Sequence, residues 1–486
     1  MNEPLGDFSD EEMRAQLHRV ADWIASYRAT IEERAIVPAV KPGEIGARFA
    51  REAPRKGAPM EDVMRELDAL IMPGIVHWGH PAFLGYFGST SNGPALLGEM
   101  IAAALNVSAM TWRTSPAATE LERVVVVWIR EMVALPESFM GIVYDTASVA
   151  VMHALAAARE VAGGEIRRRG LAGRGGELRP LRVYASDQAH SSVEKAMIVL
   201  GLGEENVLRM RSDDRFRMDV GELERAMVAD LASGYRPMAV VATVGTTSTA
   251  SIDPVAEVAA VCRARDVWLH IDAAYGGALA MLPERREVMA GAELADTVVV
   301  NGHKWLFVPL DFSVLYIRRP DVLRSVFSLV PEYLRGDSDV QGAVDYMDYG
   351  IQLGRRFRAL KAWMAIRAFG REGMEARIRE HCRLAELFAG WVSEEPYYSI
   401  VAPVTMAVVC FRFSPPGMDE EAADLLNERI VEAVNAGGDV YLTHTTLRGR
   451  RAMRIGVGNV LTAERHLEHA WRRIRDEGTR LSRIEE

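Results

Sequence analysis

Lysine is nearly absent from this chain. Five lysines, Lys41, Lys56, Lys195, Lys304 and Lys361, stand among 57 basic residues in 486, and the other basic residues are arginine. Arginine stays charged and cannot act as an amine nucleophile, so lysine chemistry has five candidates. Cysteine is scarce too. Cys262, Cys382 and Cys410 are far apart, with no CxxC pair and no zinc spacing, which excludes a disulfide framework and offers no metal site. They read as small buried thiols of a reduced, cytoplasmic protein. No apolar run reaches the roughly 18 residues of a membrane span. The opening MNEPLGDFSDEEMRAQ is acidic and polar, unlike a secretory signal. A net basic character is also missing: the formal net charge is −10, which argues against nucleic acid as a partner.

What is present is an ordinary globular composition, 49% hydrophobic and 26% charged, long enough for a large core in about two or three domains. Residues 8–35 carry a helical pattern with a capped start at Phe8-Ser9-Asp10, and residues 60–71 read as a second helix. Helices without a core of their own are expected to pack on something else, such as a partner subunit. From about 90 to 320, helical stretches alternate with short apolar runs: Met140–Tyr144, Leu181–Ala185, Met238–Thr243, Trp268–Ile271, Thr297–Asn301 and Ser313–Ile317. Runs with little alternation fit strands covered on both faces, hence a mostly parallel α/β sheet. Gly163–Gly176 reads as a solvated loop with Arg167–Arg169 on the surface. Residues 328–350 are polar and aperiodic, either an active-site lid or a flexible stretch. Residues 354–396 return to helix. Residues 400–475 alternate strand and helix, as in a smaller α+β unit.

Five strand ends carry polar residues, where α/β sheets place ligands. Asp145-Thr146-Ala147-Ser148 precedes a helix and would either cap it or present N–H groups to a phosphate. Asp187-Gln188-Ala189-His190-Ser191-Ser192 holds a histidine in a polar turn. Thr243 to Asp253 has more hydroxyls than a turn needs. Asp272, after an apolar strand, needs a cationic or donor partner. Asn301-Gly302-His303-Lys304-Trp305 holds the one lysine that lies between two apolar strands. Lys304 is either a buried lysine paired with a carboxylate such as Asp272, or a desolvated amine able to form a Schiff base. An imine lysine, a carboxylate for a ring nitrogen, a phosphate cup and a histidine to cover an aromatic plane together meet the needs of pyridoxal 5'-phosphate.

Further motifs complete the pattern: Met72-Pro73-Gly74, His77-Trp78 and His80-Pro81; Ser115-Pro116-Ala117 with Thr119-Glu120-Leu121-Glu122; Asp272-Ala273-Ala274-Tyr275; His303-Lys304-Trp305; and Leu353-Gly354-Arg355-Arg356-Phe357-Arg358. With them, residues 8 to about 475 resemble the group II pyridoxal-phosphate decarboxylases, and among these the aromatic-L-amino-acid decarboxylases. The resemblance implies a fold type I architecture. It consists of a large α/β domain with a mostly parallel seven-stranded sheet (86–375), a small C-terminal α+β domain (376–486) and an N-terminal helical dimerisation segment (1–85). It implies a homodimer with active sites at the subunit boundary.

The resemblance also implies roles. Lys304 carries the cofactor, Asp272 pairs with its ring nitrogen, and His190 stacks on the ring and touches the substrate carboxylate. Ala147, Ser148 and Asn301 form the phosphate cup, with Thr146 and His303 beside it, and Thr246 lies near the ring. Trp78, Tyr86, Phe87, Ser89 and Gly354 meet the substrate. Tyr333, in Pro331-Glu332-Tyr333-Leu334, matches a lid tyrosine that protonates the substrate Cα after CO2 leaves. Relatives with phenylalanine there resemble aldehyde synthases, so tyrosine points to plain decarboxylation. Gly354 points to tryptophan-like substrates. Some positions depart from the pattern: Gly88 and Gly302 replace prolines, Ser108 and Met110 replace larger pocket residues, and Asp145 stands next to the phosphate cup. The alternatives are a decarboxylase of a non-aromatic amino acid, an aldehyde-forming oxidative decarboxylase, and a non-enzymatic homologue. No basic residue stands among Trp78, Tyr86 and Phe87 to pair an extra carboxylate.

Overall fold

The computed structural model of the chain describes residues 7–88, 91–174, 176–329 and 342–483. Ser89 and Tyr333 lie outside them. Seven strands form the main sheet: β1 (Met140–Tyr144), β2 (Leu181–Ser186), β3 (Val207–Met210), β4 (Arg236–Thr243), β5 (Trp268–Asp272), β6 (Thr297–Asn301) and β7 (Ser313–Ile317). Their order is β1-β7-β6-β5-β4-β2-β3. Only β7 runs against its neighbours, β1 and β6; the rest are parallel. Helices cover both faces, which is why the strands read as continuous apolar runs.

Alternate residues feed two cores. Ile142, Val183, Val241, Val299 and Leu315 pack with the helix Ala147–Val161 on one face. Val143, Tyr184, Val240, Ile271, Val298 and Val314 join the larger core on the other. A second sheet, antiparallel and ordered β10-β11-β9-β8, holds β8 (Tyr398–Ile400), β9 (Val408–Phe413), β10 (Thr443–Leu447) and β11 (Arg450–Gly456). The helix Glu420–Ala436 packs on it. All three strands that the sequence pattern did not show, β3, β8 and β10, are edge strands. An edge strand is shielded less, so its apolar signal is short and diluted.

The N-terminal helix Asp10–Ala29 is capped by Ser9, whose hydroxyl accepts from Glu12 N–H, and none of its residues is buried. The helix Met60–Glu66 continues as a wider turn, Leu67–Ile71. Arg167–Arg169 are exposed, on a single helical turn Ile166–Arg169 rather than an open loop. The predicted helix 354–396 appears as Ala359–Glu394, broken at Gly370, whose φ is 64°.

Candidate active site

The parallel strands β1, β2, β4, β5 and β6 all end at one edge of the sheet, so topology gathers the five polar strand ends there. Asp272 is the last residue of β5. Its Oδ1 accepts Ala274 N–H at 3.1 Å, and among the described residues no protein donor meets its other oxygen. Lys304 follows β6 on the short helical turn Gly302–Trp305. Burial lowers its pKa, Asp272 opposes that, and the nearby Arg454 adds to it. Its Nζ stands 4.9 Å from the centroid of the Phe87 ring. Among the described residues no carboxylate lies within ion-pair distance, so the amine is not committed to a structural salt bridge.

His190 is exposed at the turn after β2. Ser192 N–H donates to its Nδ1 at 3.1 Å, which leaves the Nε2 side of the neutral ring as the donor. Although the residue is exposed at its rim, partial desolvation of the ring depresses its pKa, opposed by Asp272 and reinforced by Lys304. Thr146 caps the helix Ala147–Val161, accepting Val149 N–H at 3.4 Å, and the first-turn N–H groups of Ala147 and Ser148 face the same edge of the sheet. Asp145 is turned aside: its carboxylate accepts from Thr146 N–H at 2.6 Å and from Gln352 Nε2 at 3.1 Å. Buried Asn301 takes the Ser313 hydroxyl on Oδ1. Buried His303 accepts Phe312 N–H on Nδ1 at 3.0 Å, and burial, aided by Lys304, lowers it to about 4.

A cavity of about 700 Å³ opens beside Lys304 and is lined by Trp78, Tyr86, Phe87 and His190. Trp78 and Tyr86 stack at 5.4 Å and 11°. Phe87 stacks on Tyr275 at 3.9 Å, and Tyr275 on Trp305 at 4.7 Å, so the tyrosine after Asp272 and the tryptophan after Lys304 support the cavity wall. Of the residues expected beside the ring or the substrate, Thr246 and Gly354 are not among those lining the cavity. Thr246 is fully buried, sharing a hydrogen bond with Thr249 Oγ1 and accepting Ser251 N–H, both at 3.0 Å; its neighbours Thr247 and Ser248 line the cavity instead. Gly354 is exposed and does not line it.

The cavity also holds residues that sequence reasoning missed. Tyr441 reaches it because Leu84 N–H donates to Tyr441 O at 2.8 Å and Tyr441 N–H to Ala82 O at 3.1 Å. Gly85 makes room, since a Cβ there would sit 2.6 Å from the tyrosine ring. Arg454, from β11, donates to Tyr86 O at 2.7 Å and Ser248 O at 3.0 Å, and lies 4.9 Å from the Phe87 ring centroid. Its Nη2 is buried without a partner among the described residues. This corrects the expectation that no basic residue stands beside Tyr86 and Phe87; the one available signal was an arginine set between the apolar Met453 and Ile455 within β11.

The donor set fits pyridoxal 5'-phosphate. An uncommitted amine suits its aldehyde, a half-satisfied buried carboxylate suits its ring nitrogen, and free helix N-terminal amides suit its phosphate. Comparison with known proteins agrees. A family model described as "Pyridoxal-dependent decarboxylase conserved domain" matches residues 42–414. The chain is 38% identical over 480 residues to tryptophan decarboxylase 2 of Oryza sativa subsp. japonica, covering 97% of this chain and 95% of that one. It is 36% identical over 486 residues to phenylacetaldehyde synthase of Arabidopsis thaliana, covering 98% of each. A crystal structure of Oryza sativa TDC with PLP and tryptamine superposes with a TM-score of 0.94 at 36% identity, over 99% of this chain and 100% of that one.

Proposed function

Because the chain belongs to the pyridoxal-dependent decarboxylases and is therefore a pyridoxal-phosphate enzyme, we propose that it converts aromatic L-amino acids to the corresponding arylalkylamine and CO2. Tryptophan or a hydroxytryptophan is the preferred substrate; phenylalanine, tyrosine and DOPA belong to the same class. One observation carries this reading: the stacked Trp78–Tyr86 pair shares a cavity with the Lys304 amine, so an aromatic side chain has a π-face to lie on while its amino group meets the lysine.

When bound, the cofactor supplies a protonated ring that accepts the electron pair released from the Cα–carboxylate bond. Lys304 carries the cofactor. Asp272 keeps the ring nitrogen protonated by opposing its charge. His190 covers the ring and orients the substrate carboxylate through Nε2–H. Ala147, Ser148 and Asn301 hold the phosphate, flanked by Thr146 and His303, and Thr246 stiffens the loop beside the ring. Ser89 contacts the substrate. Tyr333 delivers a proton to Cα with water excluded.

Arg454 supports a second reading, in which its free Nη2 pairs a side-chain carboxylate of an acidic substrate. An amino-acid panel assayed for amine and CO2 decides between them. Aromatic substrates are expected to lead; an acidic substrate leading would establish the second reading, and stoichiometric aldehyde with hydrogen peroxide would replace both with an oxidative reaction. Tyr333→Phe is expected to move products toward aldehyde.

The protein acts as a homodimer. The helix Asp10–Ala29, none of whose residues is buried, and the exposed Leu97, Ile101 and Leu105 on the helix Gly93–Leu105 offer apolar surface to a second copy. Sedimentation as a monomer would remove this part. A cytoplasmic location fits three free, buried thiols; among the described residues no helix is long and apolar enough to cross a membrane.

A further inference from the structure

His270 lies on β5 two residues before Asp272, so the two side chains leave the same face of the sheet. It is fully buried. Thr297 stands opposite it in register on β6, with its Oγ1 2.9 Å from His270 Nδ1. The same oxygen accepts Trp268 Nε1–H at 3.0 Å. An indole N–H can only donate, so the threonine keeps its own proton to give. Among the described residues that proton has no acceptor other than His270 Nδ1.

The imidazole, neutral because of its burial, therefore carries its hydrogen on Nε2. That nitrogen is buried and has no partner among the described residues. On the other side of Asp272, Thr243 of β4 faces it in register, and the Thr243 Oγ1 is buried without a partner as well. Two donors uncommitted among the described residues thus flank one carboxylate that, among those residues, receives only the Ala274 N–H. Buried donors are paired with protein or with ordered water in almost all folded structures. Asp272 is the one charged acceptor between them, and it is the charge that acts on His270.

We propose that His270 is a positioning residue for Asp272: its Nε2–H, directly or through one buried water shared with Thr243, fixes the carboxylate toward the cofactor ring nitrogen. Thr297 and Trp268 set the tautomer that makes this possible. The inference rests on Asp272 facing that nitrogen, and the test separates the two.

The holoenzyme reconstituted with cofactor labelled with ¹⁵N at the ring nitrogen reads protonation directly. Wild type is expected to show a protonated pyridine. His270→Leu is expected to move the shift toward the unprotonated form and to weaken cofactor binding roughly tenfold, the effect of one lost hydrogen bond. His270→Gln, which keeps an N–H at the matching position, is expected to restore most of both. A folded His270→Leu protein with an unmoved ¹⁵N shift and cofactor affinity within twofold would overturn the proposal. If Asp272→Asn moves the shift and His270→Leu does not, only this inference fails. If Asp272→Asn leaves it unmoved, the underlying reading fails. Should His270→Leu not fold, ¹⁵N-histidine spectra of the wild-type chain still decide: an Nε2–H tautomer at His270 supports the proposal, and an Nδ1–H tautomer or an imidazolium overturns it.

Discussion

Glu122 and Arg355 meet as a buried ion pair, Oε1 to Nη2 at 2.6 Å. They come from two of the sequence motifs that mark the family, 119–122 and 353–358. Glu122 Oε1 also accepts Val143 N–H at 3.0 Å, while Arg355 donates to Val143 O at 2.7 Å and Ala109 O at 3.1 Å. The pair thereby clamps the free edge of β1 one residue before its end, next to the turn that presents Ala147 and Ser148. These two motif residues serve the site by holding its frame.

Removing one partner leaves the other charged and buried. Glu122→Gln and Arg355→Met are each expected to destabilise the protein by about 3–5 kcal/mol. The double variant is expected to lose clearly less than the two losses added, because the residues are in contact. Urea unfolding of the four proteins measures this; single variants within about 1 kcal/mol of wild type would contradict it.

Lys304 has no carboxylate partner among the described residues, and burial penalises its charge. Lys304→Ala is expected to lose activity and the visible absorbance of lysine-bound cofactor, while the melting temperature of the apoprotein stays the same or rises. A marked fall in that temperature would show Lys304 to be a structural cation.

Arg454 ties the cavity wall together through Tyr86 O and Ser248 O. Arg454→Met is expected to raise KM for aromatic substrates roughly tenfold, since hydrogen bonds from a charged donor are worth about 1.5–3 kcal/mol. Arg454→Lys should recover only part of this, because an ammonium lacks the planar fork that reaches both carbonyls. Steady-state kinetics with KM and kcat resolved is the check, and an unchanged KM would remove the residue from the binding site.

Four buried imidazoles, His153, His270, His303 and His381, are held by burial at about 4, against an ordinary value of 6.5. Between pH 6.5 and 4 the unfolded chain binds protons that the folded chain refuses. Stability is therefore fully present above that window and falls as the pH drops through it. Asp253, raised by burial to about 6, works the other way: below pH 6 the folded chain holds its proton more tightly than the unfolded one. With each pKa unit worth about 1.4 kcal/mol, four imidazoles outweigh one carboxylate. The apoprotein is expected to melt at a lower temperature at pH 5 than at pH 7.5; a flat or rising trend would count against this.

The strands that lead to Asp272 and Lys304 were legible because their signals are local. β6 and β7 have the predicted bounds, being apolar on both faces and closed by polar residues. β10, Thr-His-Thr-Thr-Leu, was not legible, because an edge strand with one half-exposed face carries too little apolar periodicity. The hydroxyl-rich turn after β4 illustrates another limit. A run of hydroxyls shows that a turn is special, but which hydroxyl faces inward depends on how the loop closes on itself, here through Thr249 and Ser251.

By itself the sequence determined the element pattern, the parallel sheet and the polar residues at its strand ends, since these follow from side-chain period and turn chemistry within a few residues. It also reduced the imine lysine to one, because only five exist and only Lys304 lies between two apolar strand runs. Tertiary structure alone decided the cavity wall and the surroundings of Asp272. Arg454 meets Tyr86 across 368 residues, and His270 depends on Thr297 of the neighbouring strand. Such pairings arise from strand register and the packing of one sheet against another, and local periodicity carries no record of them.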